Sequence, residues 1–345
     1  MEENLVSVTE SAAEPTSESE EQNICKAKKA YSRCERNIGL YVGISLVVVI
    51  AVTLLYLFIT DKEKLPLQIS YLISFGSMYC VGFPIYLLLS RNAEKSAPKK
   101  NPFSFGSFLL YLMMGEALML FGNIIGTIVT AIGGKLLGIE LADNTLQTAV
   151  FEEKSILFIV IATTVGPAIE ELLFRKVFID RVRKYGDGKA ILVTGILFGL
   201  FHGNFTQFFY AAFLGILLGY VYVSTGNIRN TIALHMTLNA CGSLVPMLLM
   251  RNLDFEALSQ EMSLDETVAY FTEHASDLLP LAFWGISLIV VAITGVILLI
   301  VRLAGGKFKL NPPEAPIPKE KNFSVTCLNV GMLIFLAVTV FQFCM

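Results

Sequence analysis

From Ala190 to Ile228 the chain carries no Asp, Glu, Lys or Arg, and past Arg229 a second charge-free run extends from Asn230 to Met250. A helix that crosses a bilayer needs about 20 consecutive, mostly apolar residues, and runs of this length exceed that need. The 345 residues are 54% hydrophobic and only 16% charged, whereas an ordinary soluble domain carries about 25% charged residues. A soluble enzyme, a secreted disulfide scaffold and a nucleic-acid binder do not fit this pattern. The pattern predicts an all-α fold, a polytopic transmembrane helix bundle of eight or nine spans. Apolar runs place them at about 39–60, 66–90, 106–133, 156–179, 188–203, 206–224, 229–250, 279–301 and 324–344. The fifth is short and could form a tight hairpin with the sixth.

The charges are unevenly distributed. Seven Glu and no Lys or Arg occupy the first 24 residues, followed by Lys26, Lys28, Lys29, Arg33 and Arg36. An acidic start cannot serve as the basic n-region of a signal peptide, and residues 1–37 read as a disordered cytosolic tail. Residues 38–150 then form N-terminal membrane helices and 151–250 a catalytic core, while 251–345 comprise an acidic outer loop with the last helices. Alternating the loops puts 18 Lys/Arg on the side of the N-terminus and five on the other. That asymmetry predicts an integral, multi-pass protein of the plasma membrane with its N-terminus in the cytosol. The six cysteines show no CxxC spacing and read as small buried hydrophobes.

Ionisable residues inside membrane helices are costly and by default mark function. They concentrate in three spans. The fourth contains Pro167, Glu170, Glu171 and Arg175, the fifth Phe198 and His202, and the seventh His235 and Asn239. Glu171 and Arg175 stand four apart in the favourable order for a helical ion pair. Glu170, rotated about 100° away, lacks a partner on its own helix and needs protonation or a group from another one. His235 and Asn239 share one helical face, as do Phe198 and His202. The turn signal Tyr185-Gly-Asp-Gly188 lies midway between Glu170 and His202, which puts both at equal depth if helices enter and leave that turn. Such a set suits hydrolysis: a Glu beside a neutral His can take a proton from water, and a second His with an amide can hold an oxyanion. Glu116, in the third span, is either a buried structural acid or part of an ion pathway.

In order, Glu-Glu-x-x-x-Arg, Phe-x-x-x-His and His-x-x-x-Asn resemble the intramembrane CAAX-processing and bacteriocin-processing protease (CPBP, or ABI) family, over about residues 155–250. The resemblance implies a peptidase in which Glu170 activates water with His202, His235 and Asn239 form the oxyanion site, and Glu171, Arg175 and Phe198 support them. Lys176 departs from the family, many members of which have Gly there. The implied partners are the bilayer and a membrane-associated peptide or protein substrate, prenylated or bacteriocin-like; no nucleic acid is implied. The family has been called metalloprotease, and Glu170, His202 and His235 could supply three zinc ligands. Assigning Glu170 to zinc would leave these motifs without a base, so the expectation is that no cofactor is required. Two other readings stay open: a self-immunity or binding protein without catalysis, and a proton-coupled transporter.

Overall fold

The computed structural model describes residues 17–138, 156–251 and 263–343. Among these residues there are helices and turns and no strand. Helices α1 (Ser17–Thr60), α2 (Leu67–Phe75), α3 (Phe83–Ser90) and α4 (Phe105–Leu137) are followed by α5 (Ile156–Glu171). Then come α6 (Asp187–Phe201), α7 (Phe205–Thr225), α8 (Ile228–Asn239) and α9 (Val245–Met250). The chain ends in α10 (Leu264–Glu273), α11 (Ala275–Ala304), α12 (Asn322–Thr326) and α13 (Val330–Phe343).

Seven helical segments are long and apolar enough to cross a membrane, or eight if the bent pair around residues 326–330 is one span. The ninth expected span fails on length. Helix α6 has 15 residues, about 22 Å at 1.5 Å per residue, against a hydrocarbon core about 30 Å thick. It turns back through Gly203 (φ +70°) into α7, whose first turn is capped by the Asn204 side chain accepting from Gln207 N–H. The two form the tight hairpin that the short fifth run allowed. Close packing holds it: a Cβ on Gly199 would lie 2.6 Å from the Phe208 carbonyl oxygen, and one on Gly195 2.9 Å from Ile216 N.

Helix α7 lies against both α4 and α6 and is the most enclosed span, 61% buried over its apolar window against 11% for α1 and α11. The outer helices expose apolar side chains, among them Leu54, Phe58, Phe283, Ile289, Ile293 and Ile300. Contiguous apolar surface on this scale would aggregate in water and is at home in lipid. The protein is an integral, multi-pass membrane protein.

The expected disordered tail is corrected from Ser17 onward, where α1 already runs. Its 44 residues span about 66 Å, roughly twice the hydrocarbon core. Ala27, Tyr31, Cys34 and Ile38 recur at helical spacing and are buried, so one stripe of this charged segment packs on the bundle. Residues 1–16, with the first four glutamates, lie outside the described residues. So do Lys154, residues 254–262 of the acidic outer loop, and Cys344. The other five cysteines are free thiols, and Cys25 and Cys80 are exposed rather than buried.

The basic segments meet at one end. Ser96 N–H donates to Asp180 O, Ala315 N–H to Lys184 O at 2.9 Å, and Arg183 lies 3.5 Å from Glu314. The loops grouped by charge alone are therefore neighbours in space.

Candidate active site

Three elements deliver the charged groups. Helix α5 continues through a π-helical segment, Leu172–Ile179, and a short basic extension to Tyr185. Gly186 (φ +139°) then turns the chain into α6. Helices thus enter and leave the turn, the condition for Glu170 and His202 to lie at equal depth. His202 follows the last residue of α6 and so lies inside the bundle, because that helix stops short of spanning it.

The two adjacent acids have different surroundings. Glu171 is fully buried; its Oε1 lies 3.2 Å from Arg175 Nη1 and accepts from His235 Nδ1 at 3.1 Å. Arg175, 1% exposed, also donates to the Gly215 carbonyl at 3.2 Å and stacks over the Phe198 ring at 4.7 Å. Glu170 is 18% exposed, and its Oε2 lies 3.7 Å from His235 Nε2. The expected ion pair of Glu171 with Arg175 is present, and of the two options left to Glu170, protonation or a group from another helix, the geometry offers a group from another helix, His235. The imidazole in ion-pair contact with Glu170 is His235, while His202 lies within electrostatic reach of both Glu170 and His235.

Each imidazole is oriented by its second nitrogen. His202 Nδ1 donates to the Phe198 carbonyl at 2.8 Å, which leaves Nε2 as the acceptor. The ionised Glu171 fixes a proton on His235 Nδ1. Phe198 is a shared platform, its ring 5.0 Å from that of His202 and 5.7 Å from that of His235, edge-on to both. Asn239 ends α8, one turn beyond His235 on the same face, half-buried and without a hydrogen-bond partner among the described residues.

Sequence reasoning missed four features here. Tyr79, from the second span, and Tyr41 place their hydroxyls in the neighbourhood of Glu170. The Gly215 carbonyl binds Arg175, and the Glu171 carboxylate doubles as the anchor of His235. Nothing local to Tyr79 or Gly215 in sequence signals a role, since both act through contacts between distant helices. Lys176, the departure from the family pattern, is accommodated at the surface, 2.8 Å from Asp180 and 3.3 Å from the Tyr222 hydroxyl. Glu116 stays outside the constellation, buried on α4 beside Cys241. Among the described residues no three His, Cys, Asp or Glu side chains converge in a way that could hold a metal ion.

Residues 152–241 match the family model of the type II CAAX prenyl endopeptidases, Rce1-like. This stretch is Rce1-like in sequence. It contains all three motifs and every residue described above except Tyr41, Tyr79 and Glu116. Two relatives share a larger region. The membrane-embedded CAAX protease MroQ of Staphylococcus aureus is 27% identical over 155 residues, 42% of this chain and 59% of MroQ. The putative membrane peptidase YdiL of Bacillus subtilis is 26% identical over 158 residues, 45% of this chain and 64% of YdiL. The matches thus span less than two thirds of either relative. No solved structure matches the chain.

Proposed function

We propose that the protein is an intramembrane endopeptidase that hydrolyses a peptide bond of a membrane-associated substrate. The observation that carries this reading is the pairing of one accessible acid, Glu170, with an imidazole, His235, that a second, fully buried acid holds in place. In this reading Glu170 takes a proton from a water molecule, with His202 Nε2 accepting its other hydrogen. The resulting hydroxide adds to the scissile carbonyl carbon. The oxyanion receives hydrogen bonds from the Asn239 amide and from His235, which as an imidazolium would keep Nδ1–H on Glu171 and present Nε2–H to substrate. Collapse breaks the C–N bond, and Glu170 returns its proton to the leaving amine. No step passes through a metal.

The Rce1-like stretch and the likeness to the CAAX protease MroQ favour a substrate of the CAAX type, with a prenylated cysteine near its C-terminus. The 18-to-five distribution of basic residues favours a cytosolic N-terminus.

The test is cleavage of a panel of membrane peptides, prenylated and unmodified, by the purified chain in liposomes. Asn239→Ala is expected to lower kcat about 10²–10³-fold, the usual effect of removing one oxyanion donor, with KM nearly unchanged. A change confined to KM would remove Asn239 from that role. Activity is also expected to survive exhaustive chelation, with far less than one metal per chain. Chelator-sensitive cleavage restored by zinc, with stoichiometric zinc lost on His202→Ala, would overturn the metal-free mechanism.

A further inference from the structure

At the end of the bundle that gathers the basic segments, α1, the 93–94 loop and the 181–185 extension enclose a cavity of about 170 Å³. Lys26, Lys29 and Arg33 enter it from one face of α1, and Arg181 and Lys184 from the extension of α5. The only acidic residue in the lining is Glu94. Glu94 is committed to Lys184, with which it forms an ion pair, and that contact with the ammonium holds its carboxyl below the usual carboxylate range. Five cations thus face a single carboxylate.

Arg181 makes this more than a charged surface. It is 5% exposed. Its guanidinium donates to two backbone carbonyls, those of Val177 and Ser90, while Nε finds no partner. Among the described residues no carboxylate lies within ion-pair distance of Arg181, Lys26, Lys29 or Arg33. Burying a cation without a counter-charge is costly, and a guanidinium with a free N–H is built to meet a carboxylate or phosphate in its plane. The location narrows the source. The apolar part of α1 begins about one turn past Arg33, so the cavity opens at headgroup depth, where basic pockets between membrane helices take anionic headgroups.

We propose that this cavity binds the phosphate of an anionic phospholipid headgroup, with Arg181 at its floor and Lys26, Lys29 and Arg33 at its mouth. The site is separate from the catalytic constellation and stands whether or not the chain is a peptidase.

The test uses the full chain, purified in neutral detergent, with lipid binding read by native mass spectrometry and thermal shift. Dioleoylphosphatidylglycerol is expected to bind at least tenfold more tightly than dioleoylphosphatidylcholine. The triple variant Lys26→Ala/Lys29→Ala/Arg33→Ala changes exposed or half-buried side chains, so it should fold normally and lose that preference. Glu94→Gln removes the only competing charge and should tighten phosphatidylglycerol binding several-fold. Inorganic phosphate at matched ionic strength separates the two sources of the anion. Weak phosphate binding that competes with phosphatidylglycerol supports the site. Stabilisation by phosphate without any preference for the anionic lipid would overturn the headgroup assignment. Equal binding of both lipids, or an unchanged preference in the triple variant, would overturn the site itself.

Discussion

Glu170→Gln is expected to abolish peptide cleavage while leaving the thermal unfolding temperature within error of the wild type. Loss of a positioned general base costs about 10²–10⁴ in rate, and here the same group also returns the proton to the leaving amine. The substitution conserves volume, and the side chain is partly exposed, at 18%, where Glu171 is fully buried. Its recorded ion-pair contact is the 3.7 Å approach to His235, too long for a strong hydrogen bond, so little stability depends on it. Paired measurements of kcat and melting on one preparation decide the matter. Cleavage at near wild-type rate would remove Glu170 from the chemistry.

The neighbouring substitution should behave in the opposite way. Glu171 is fully buried between Arg175 and His235, and Glu171→Gln would leave the Arg175 guanidinium charged and uncompensated at 1% exposure. Breaking a buried pair from one side typically costs about 3–5 kcal/mol, so lower yield and a lower melting temperature are expected. Adding Arg175→Met should recover much of that stability, since replacing both members of a buried pair by apolar groups is often neutral. Activity should not return, because the acceptor that fixes the His235 tautomer is still missing. A Glu171→Gln protein that melts like the wild type would show that Arg175 is compensated elsewhere. Recovery of cleavage in the double variant would show that His235 needs no such anchor.

Legibility in the sequence followed the range of the interaction. Membrane helices announce themselves in charge-free runs, and the i, i+4 pairs Glu171–Arg175, Phe198–His202 and His235–Asn239 follow from helical geometry alone. The turn at Gly186 was equally local. The rotation of α8 against α5 was not, and that rotation sets Glu171 rather than solvent or Asn239 against His235 Nδ1. The role of the N-terminal segment was obscured for another reason. Its net composition suggests disorder, yet Ala27, Tyr31, Cys34 and Ile38 form a continuous apolar stripe, and periodicity was the better guide there than charge. Residue count was informative at α6, where the run was already short in the sequence and forms one arm of a hairpin with α7.

The π-helical segments had only an indirect signature. Two of them, Gly76–Gly82 and Ala240–Leu244, end two residues before Pro84 and Pro246. A proline ring clashes with the carbonyl four residues back, and the wider turn relieves that clash. The segment Leu172–Ile179 has no proline after it, and its consequence is angular. A π turn is the trace of one extra residue in an α-helix, and each residue advances the helix by about 100°. The acids before residue 172 and the arginines after residue 179 are therefore held at an azimuth that an uninterrupted helix could not provide, with Glu170 aimed at α8 and Arg181 aimed at α1. One helix thereby serves two faces of the bundle, and a single-residue deletion between Leu172 and Ile179 would swing one end out of phase with the other.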